Sequence, residues 1–455
     1  MRVERDTLGE VLVPDDALYG AQTQRAVENY PISGLREHPV FIRTFIQLKR
    51  AAALANRELG AMTPETAEAI VGACDELLSN FDKYRGQFVV DVFQAGAGTS
   101  FNMNVNEVIA TLAGKGIHPN DDVNMSQSTN DVFPTAIRVA GLLLLNDLFP
   151  QLDELASALD AKGDEFADVI KSGRTHLQDA VPVTLGQEFH AYAAATRRAT
   201  RLLRDAAREL RILGIGGTAA GTGINTPIGY RFAVVRQMRE MTGLDLESSD
   251  DLREAMQSQL PVVAVSAALR NLALELTRIT NDLRLLASGP QTGLAEIILP
   301  AVQPGSSIMP GKVNPSMLEC MNQVLFHVIG AATAIDYASQ AGQLELNVMM
   351  PLMAFELTFS IEILKNYLPV LIEKCIRGIA ADRERCEAYY VSSPSLATAL
   401  NPIIGYTRAA EIAKEAAKTG APVPRLLREK GLMSDEEIAR IFTPEFLAGQ
   451  ADRKG

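Results

Sequence analysis

Five stretches of this 455-residue chain carry apolar residues at helical spacing over lengths that exceed the helices of an ordinary globular domain. In the first stretch, Ile137, Leu148 and Leu159 belong to a series whose spacings are mostly three and four residues. The run from Leu142 to Leu145 is apolar on every side, which favours a helix inside a bundle over one on a surface. The pattern predicts long helices over five ranges: Val132 to about Ile170, about Gln187 to Leu213, Asp251 to Leu286, Pro315 to Gln340, and Pro351 to Ile379.

Helices of this length constrain how the chain packs. At 1.5 Å per residue, helices of about 25 to 40 residues measure about 40 to 60 Å, which is too long for a compact single-chain globule. A rod-like bundle buried against the same bundle of other copies of the chain resolves this problem, and a set of shorter, kinked helices is the alternative. The low aromatic content of 6% also favours helices. The stretches on either side of the long helices have shorter helical patterns, so we predict a largely helical protein with three domains, at residues 1–130, 131–380 and 381–455.

Charge and composition narrow the classes of partner. A net charge of −12 argues against a nucleic-acid surface, and an anionic substrate would need a local positive site. The four cysteines form no Cys-x-x-Cys pair and the five histidines do not cluster at metal-ligand spacing, which predicts free thiols and no metal site. The charged start of the chain lacks an apolar signal region, and no stretch reaches ~18 consecutive apolar residues. We expect a cytoplasmic protein without a nucleic-acid or membrane partner.

The first of four unusual polar segments runs from Gly96 to Asn104. Its glycines allow backbone N–H groups to approach a ligand, and Thr99, Ser100 and Asn102 offer neutral hydrogen bonds. Runs of glycine, serine and asparagine are also common in ordinary turns, so both interpretations stay open.

The second segment, Asn120 to Asp131, leads directly into the first long helix. The free N–H groups at the start of a helix can bind an anion, and Ser128, Thr129 and Asn130 surround this start. Simple capping of the helix by Thr129 or Asn130 explains the pattern equally well.

The third segment, Ser172 to Asp179, contains His176, one of only five histidines in the chain. With Arg174 and Thr175 beside it, this histidine is a candidate acid/base or positioning group. A lone histidine serves more often as a structural hydrogen-bonding residue, so this alternative also stays open.

The fourth segment, Gly305 to Glu319, combines hydroxyl groups, a lysine and a predicted helix N-terminus. Ser306 lies near the start of a glycine-flanked loop, and Lys312 adds a full positive charge. Asn314 followed by proline predicts an N-cap with proline at the first helical position. The segment therefore offers the groups that carboxylate binding and carbanion stabilisation require.

This fourth segment matches the signature Gly-Ser-Ser-x-Met-Pro-x-Lys-x-Asn of the fumarase/aspartase superfamily without a mismatch. The resemblance covers essentially the whole chain and includes four further segments: Asp15 to Gly20, Gly173 to Ala180, Gly216 to Gly223, and Leu400 to Tyr406. It implies an all-α protein with a central five-helix bundle that assembles as a homotetramer with a twenty-helix core. It also implies active sites that are each built from segments of three subunits.

Within this superfamily, the chain is more similar to aspartases than to fumarases. Gly98-Thr-Ser-Phe-Asn and Ser128-Thr-Asn-Asp resemble the aspartase versions of these segments, where fumarases tend to show Gly-Thr-Gln and Ser-Ser-Asn-Asp. The resemblance implies reversible elimination of ammonia from L-aspartate to give fumarate. Interconversion of fumarate and L-malate, or a related lyase reaction on an aspartate analogue, stays open as the alternative.

The resemblance implies a carbanion mechanism in which Ser306, acting as its oxyanion, is the base. The residues implied to hold the β-carboxylate are Thr99, Ser128, Thr129 and Ser307, and those for the α-carboxylate are Thr175, Lys312 and Asn314. Asn130 and His176 would lie near the amino group, and Glu319 would pair with His176. Lys312 would also help to lower the pKa of Ser306. The substrate is a small dicarboxylate, and no metal or organic cofactor is required.

Four features depart from the superfamily pattern. Gln291 replaces a usual arginine, Met350 stands where aspartases tend to carry glutamate, and Leu318 replaces a common proline. The connection between Glu107 and His118 is shorter than usual, which indicates a trimmed surface excursion. Gln291 and Met350 leave the identity of the substrate open.

Two functions from other classes are also compatible with the resemblance. The chain could be a catalytically inactive, structural member of the superfamily, or a small-molecule binding or regulatory module. The presence of Ser306, Lys312, Asn314 and His176 argues against an inactive member. Turnover of fumarate plus ammonia would separate an enzyme from both alternatives.

Overall fold

The computed structural model describes residues 1–447, and most of them are helical, so the all-α prediction is confirmed. In chain order, the helices are Ala21–Asn29 (α1), Pro39–Glu58 (α2), Pro64–Ser79 (α3), Phe81–Tyr84 (α4), Thr99–Ala113 (α5), Thr129–Glu165 (α6), Leu185–Ala207 (α7), Tyr230–Thr242 (α8), Leu252–Gln257 (α9), Leu260–Leu286 (α10), Ser316–Gln340 (α11), Met350–Lys374 (α12), Arg383–Ser392 (α13), Asn401–Ile404 (α14), Tyr406–Thr419 (α15), Val423–Glu429 (α16), Asp435–Ile441 (α17) and Pro444–Leu447 (α18).

Short strands form four two-stranded sheets within the described residues. The strands are Arg2–Asp6 (β1), Gly9–Val13 (β2), Ile170–Thr175 (β3), Gln178–Thr184 (β4), Ile212–Leu213 (β5), Glu247–Ser248 (β6), Ile297–Ile298 (β7) and Ala380–Ala381 (β8). β1 pairs with β2, β3 with β4, and β7 with β8 in antiparallel fashion, whereas β5 and β6 are parallel. The β3–β4 hairpin carries two of the predicted site residues.

The five predicted long helices are present as α6, α7, α10, α11 and α12, with 37, 23, 27, 25 and 25 residues. The third predicted stretch is broken into α9 and α10 at Ser258 and Gln259. Pro261 is the second residue of α10, a position at which its missing N–H group costs no helical hydrogen bond, so a break just before it accommodates the proline. The first stretch ends at Glu165 rather than Ile170, which begins β3.

Residue contacts divide the chain into two compact units. The first comprises residues 1–150, 201–273 and 325–365, and the second comprises residues 151–200, 274–324 and 366–455. Each of the five long helices contributes residues to both units. The three-domain division at residues 130 and 380 stays a prediction, because these units group residues by contact and not by sequence segment.

An aromatic cluster at the core of the first unit fixes the starts of α5 and α6. The rings of Phe41 and Phe45 in α2 lie with their centroids 5.1–5.9 Å from those of Phe101 and Phe133. Each such pair adds about 0.5–1.5 kcal/mol beyond the burial of its area. Gly98 lies against this cluster, where a Cβ atom would come within 2.1 Å of the Phe133 ring. The chain can therefore enter α5 at Thr99 only through a glycine.

The second unit has an apolar cluster of its own at the C-terminal end of the chain. The cluster joins the 3₁₀ turn Pro394–Leu400 to α15, α16 and α17 through buried side chains that include Leu400, Ile412, Val423, Leu427 and Ile438. Leu396, also buried, lies in the turn that begins at Pro394. This cluster holds the short helices α15, α16 and α17 together.

Within residues 1–447, three helices, α6, α10 and α11, are long and apolar enough to cross a membrane by length and composition alone. In the most apolar 18-residue stretch of each helix, the share of residues buried inside the chain is 78% for α6, 39% for α10 and 44% for α11. α10 and α11 therefore present apolar residues that the chain itself leaves uncovered. The expected absence of a membrane partner stays a prediction.

Candidate active site

Thr99 opens α5 and is exposed. The two residues before it, Ala97 and Gly98, have φ angles of 60° and 85°, which reverse the chain just before the helix. The N–H of Ala97 donates to the carbonyl of Val348 at 2.9 Å, and this bond holds the reversal in place. The hydroxyl of Thr99 is thus presented at the surface of the first unit, beside the N-terminal turn of a helix.

Ser128, the residue before α6, caps the helix, and this corrects the expectation that Thr129 or Asn130 caps it. The carbonyl of Ser128 accepts the first helical hydrogen bond, from Val132, and its hydroxyl accepts from the N–H of Asn130 at 3.2 Å. The N–H of Ser128 in turn donates to the carboxylate of Asp131 at 2.9 Å. Because Ser128 satisfies the helix end, the side chains of Thr129 and Asn130 remain available for other partners.

Asp131 connects this helix start to the glycine-rich loop that begins at Gly216. Its carboxylate accepts from the N–H groups of Gly216 and Thr218 at 3.0 and 2.9 Å. The side-chain amide of Asn130 donates to the carbonyl of Ala219 at 2.9 Å. Burial raises the pKa of Asp131 to about 6, although its backbone hydrogen bonds act in the opposite direction.

Lys49 lies buried beside the same helix start and was not predicted as a site residue. Its Nζ donates to Oδ1 of Asn102 at 2.7 Å, Oδ1 of Asn124 at 3.0 Å and Oε1 of Gln127 at 3.0 Å. Asn102 then donates from Nδ2 to the Thr129 hydroxyl at 3.0 Å. Burial lowers the pKa of Lys49 to about 7, and this effect is opposed by a nearby carboxylate.

The sequence contains a signal that could have identified Lys49. Lys49 lies four residues after Phe45 and three after Ile46, on the apolar stripe of α2. A lysine on such a stripe must find a buried partner or carry a perturbed pKa. No carboxylate near it in sequence supplies that partner, since its acceptors are amide oxygens more than fifty residues away.

In the second unit, His176 and Leu177 form the two-residue turn of the β3–β4 hairpin. Their φ angles are 56° and 58°, the left-handed conformation of a type I′ turn, which usually carries Asn-Gly. Thr175 pairs with Gln178 next to the turn. Thr175 and His176 are both exposed, and the described residues give His176 no hydrogen bond or ion pair. The hairpin thus presents both predicted site residues at its tip.

The side chain of Arg174 pairs with Glu296 and not with His176, although Arg174 and His176 are close in sequence. Its Nη1 lies 2.9 Å from both carboxylate oxygens of Glu296, which is fully buried. Lys171 lies 3.0 Å from the same carboxylate and 2.7 Å from that of Glu188. Burial raises the pKa of Glu188, and Lys171 opposes this effect. These four side chains form a buried ion cluster that anchors the base of the hairpin.

The loop of the fourth segment is closed on itself. The N–H of Gly305 donates to the carbonyl of Lys312 at 2.8 Å, and Nδ2 of Asn314 donates to the carbonyl of Gly305 at 2.6 Å. A Cβ atom at Gly305 would come within 2.4 Å of that Lys312 oxygen, so only glycine allows this closure. Residues 301–306 and 309–313 line a cavity of about 460 Å³.

Within this loop, the Ser306 oxygen accepts from the N–H groups of Ile308 and Met309 at 3.2 and 2.9 Å. The same geometry occurs in ordinary serine turns. It also directs two N–H dipoles at the oxygen, which would stabilise a serine oxyanion. Ser307 and Lys312 are exposed, and the described residues contain no ion pair to Lys312.

The expected N-cap at Asn314 differs from the structure, and the expected pairing of Glu319 with His176 stays open. α11 begins one residue later than an N-cap at Asn314 requires, because the carbonyl of Pro315 accepts the first helical bond, from Glu319. The Asn314 side chain instead closes the loop. Glu319 is half-buried, and residues 1–447 contain no hydrogen bond or ion pair between Glu319 and His176. Their pairing therefore stays a prediction.

The structure shows how three of the departures from the superfamily pattern are accommodated. Met350 is fully buried at the start of α12 and therefore packs as a core residue. Leu318 is also buried and packs in α11 among side chains that include Leu276 and Leu371. Gln291 is exposed.

Comparison with known proteins defines the class. The chain matches the family described as "Lyase" over residues 9–330 and the one described as "Fumarase C C-terminus" over residues 396–449. Together with the long-helix fold and the Ser306 loop, these matches show that the chain belongs to the fumarase/aspartase superfamily of lyases. The resemblance inferred from the sequence is confirmed.

Within the superfamily, relatives named aspartate ammonia-lyase are similar to nearly the whole chain. The one from Pseudomonas aeruginosa is 49% identical and covers 98% of this chain and 96% of its own length. The one from Corynebacterium glutamicum is 48% identical and covers 98% of this chain and 87% of its own length. A fumarate lyase:delta crystallin from Brucella melitensis, solved bound to cobalt, has a TM-score of 0.94 at 47% identity, with 98% and 99% covered. A class II fumarase from Schistosoma mansoni has a TM-score of 0.93 at 34% identity, with 99% and 100% covered.

Proposed function

We propose that this chain is an aspartate ammonia-lyase, which eliminates ammonia from L-aspartate to give fumarate and catalyses the reverse addition. The observation that carries this proposal is the identity of 46–49%, over 97–98% of the chain, to relatives with that name. Identity to the class II fumarase is lower, at 34%. Thr129 and Ser100, the positions at which fumarases tend to carry other residues, agree with this choice.

The difficult step is removal of a proton from the carbon next to the β-carboxylate. Ser306 would take this proton as its oxyanion, and the N–H groups of Ile308 and Met309 would stabilise that charge. Lys312, on the same loop, adds a positive charge that no acid neutralises in the described residues. The resulting carbanion spreads onto the carboxylate, so the site must stabilise an extra negative charge. Ammonia then leaves as the carbon–carbon double bond forms.

Neutral hydroxyl groups would hold the β-carboxylate. They belong to Thr99, Ser128 and Thr129 at the starts of two helices and to Ser307 on the loop. The residues proposed to hold the α-carboxylate are Thr175, Lys312 and Asn314, and those proposed to lie near the amino group are Asn130 and His176. The glycine-rich loop that binds Asn130 would orient its amide toward the substrate.

The active unit is proposed to be a homotetramer whose sites are shared by three subunits. Large apolar side chains on α10 and α11 are exposed in the single chain, among them Leu274 (51%), Phe326 (55%) and Tyr337 (66%). Copies of the same chain would cover them in a twenty-helix core. Thr99 and His176 are likewise exposed, whereas carbanion chemistry requires a site from which water is excluded. Further subunits would supply that enclosure.

The test of this function follows the absorbance of fumarate with L-aspartate and then with L-malate on one purified preparation. We expect brisk release of fumarate from L-aspartate and little from L-malate. The opposite result would replace the proposal with fumarate hydratase. Dialysis against a chelator tests the expectation that no metal is required, and we expect the rate with L-aspartate to be unchanged.

A further inference from the structure

Lys49 and Thr129 are linked through Asn102, and both hydrogen bonds of this link have their donor on the Lys49 side. A lysine ammonium group has three hydrogens to donate and no acceptor, so each of its partners must present an oxygen. Nζ of Lys49 lies 2.7 Å from Oδ1 of Asn102. With its oxygen held there, Asn102 can offer only its NH₂ group to its other neighbours. Nζ lies within 3.0 Å of three amide oxygens, and only the ammonium form has a hydrogen for each of them. This form of Lys49 therefore sets the orientation of the Asn102 amide.

The orientation of Asn102 in turn determines the role of the Thr129 hydroxyl. Nδ2 of Asn102 lies 3.0 Å from Oγ1 of Thr129, so Thr129 accepts this hydrogen bond. The hydroxyl hydrogen of Thr129 must then point elsewhere, and residues 1–447 give it no acceptor. The Thr129 hydroxyl accepts from an amide that is itself bound to a charged group. This makes the hydroxyl a stronger donor, because successive hydrogen bonds polarise one another.

We propose that Lys49 and Asn102 are positioning residues that fix Thr129 as a hydrogen-bond donor to the β-carboxylate of the substrate. The inference rests on the proposed placement of Thr129 at that carboxylate, and it holds for any four-carbon dicarboxylate in the site. An acceptor is of no use to a carboxylate, which has only lone pairs. A hydroxyl free to rotate would spend part of its time with its oxygen lone pairs facing the anion. The buried ammonium removes that orientation.

A purely structural role for Lys49 is the competing explanation. Lys49 also binds Asn124 and Gln127, which lie in the segment leading to Ser128. Loss of those bonds would disturb the whole helix start, so variants of Lys49 itself would not separate the two explanations. Substitution of Asn102 does, because it removes the Nδ2 donor to Thr129 and leaves the lysine an oxygen partner. It also removes the bond of 3.3 Å from Nδ2 to Oδ1 of Asn124, so the control must lose a donor to that same oxygen.

The decisive variant is Asn102→Asp. An aspartate keeps an oxygen toward Lys49, but it can only accept from Thr129, so the Thr129 hydrogen turns away from the substrate. The matched control is Asn106→Asp. Asn106 is fully buried one turn further along α5 and lies 3.2 Å from the same Asn124 oxygen, without a hydrogen bond to Thr129. It therefore reports the general effect of a buried carboxylate in this network.

Binding of succinate, a dicarboxylate that carries no leaving group, is measured by calorimetry on the assembled wild-type and variant proteins. We expect Asn102→Asp to raise the Kd at least ~10-fold, the effect of losing a hydrogen bond to a charged group, and Asn106→Asp to raise it less than ~3-fold. Equal effects of the two variants would overturn the inference. The assay is independent of turnover, so failure of the ammonia-lyase proposal would appear separately, in the test with L-aspartate and L-malate.

A double-mutant cycle with Thr129→Val distinguishes positioning from structural damage. Once the Thr129 hydroxyl is absent, Asn102→Asp should add less than ~2-fold to the Kd, because the two substitutions remove the same interaction. Persistence of the full effect in the Thr129→Val protein would contradict the inference. If Asn102→Asp does not assemble, Asn102→Ala takes its place in the cycle. It leaves the Thr129 hydroxyl free to rotate, and we expect a ~3-fold or greater rise that likewise disappears in Thr129→Val. A Kd unchanged by Asn102→Ala would also refute the proposal.

Discussion

Arg174 and the fully buried Glu296 are joined by Nη1 of the arginine, which lies 2.9 Å from both carboxylate oxygens. Lys171 adds a second cation, 3.0 Å from Glu296. This cluster ties the base of the hairpin that carries His176 to the strand β7, from which the chain continues toward the Ser306 loop. Two predicted catalytic segments of one unit thus share a single buried anchor.

We predict that Glu296→Gln strongly destabilises the protein. The substitution leaves Lys171 and Arg174 with too little negative charge in a buried site, which typically costs about 3–5 kcal/mol in the free energy of unfolding. The matched control is Glu154→Gln, which breaks an exposed ion pair with Arg377 and should cost less than about 1 kcal/mol. Urea unfolding followed by circular dichroism measures both values, and similar losses in the two variants would contradict the role of the cluster.

The anchor could not have been predicted from the sequence. Arg174 lies two residues before His176, and the sequence therefore groups it with that histidine. Its observed partner, Glu296, is 122 residues away, and no local spacing points to it. The long helices were predictable because their apolar periodicity is local, whereas the pairing of buried charges depends on the tertiary fold.

Ser306→Ala tests the proposed base. We expect turnover of L-aspartate to fall at least ~10³-fold, within the usual range for loss of an acid/base group together with the step it serves. The control is Ser395→Ala, which removes an exposed hydroxyl bonded to the carbonyl of Asp179 and should leave the rate unchanged. Gel filtration and circular dichroism establish that both variants fold and assemble. Near-normal turnover in a correctly assembled Ser306→Ala protein would eliminate the assignment.

Glu37→Gln should change how stability depends on pH. Glu37 is buried, its Oε2 has no hydrogen-bond partner in the described residues, and burial together with the charge of Asp91 raises its pKa from 4.5 to about 8. The folded protein therefore holds this proton more tightly than the unfolded chain does. The stability that it contributes is fully present below about pH 4.5 and is lost as the pH rises through 8.

Urea unfolding of wild type and Glu37→Gln at several pH values between 5 and 9 measures this contribution, since the pKa of Glu37, about 8, lies within that range. Glutamine resembles the protonated carboxyl group and can keep the hydrogen bond that Glu37 accepts from Gln94. We expect the variant to gain free energy of unfolding relative to wild type as the pH rises. A difference that is independent of pH would show that Glu37 does not titrate in this range.

The residues of the candidate site differ in how far the sequence could place them. Ser306 and Lys312 belong to a continuous signature, so their common loop follows directly from the sequence. The two N–H donors to Ser306 depend on the fold of that loop, which a signature does not specify. Lys49 reaches Thr129 through Asn102 across three helices, and that arrangement exists only in the folded chain. Chemistry within a segment was predictable, and hydrogen bonding between segments was not.

Thr99→Ala and Lys312→Ala together test whether subunits share their active sites. Each variant alone should be inactive or nearly so, because one loses a carboxylate-binding hydroxyl and the other the positive charge of the loop. If the two residues of one site come from different chains, hybrid tetramers contain some sites with both wild-type residues. Random mixing in equal amounts would restore about a quarter of the sites.

The two variants, carrying different affinity tags, are unfolded together and allowed to reassemble, and hybrids are isolated through both tags before L-aspartate turnover is measured. Each variant reassembled with itself is the control and should stay inactive. Recovery in the hybrids alone requires that Thr99 of one chain and Lys312 of another act on one substrate, because neither chain carries both residues. Hybrids without recovered turnover, or a wild-type monomer that is fully active at nanomolar concentration, would exclude shared sites.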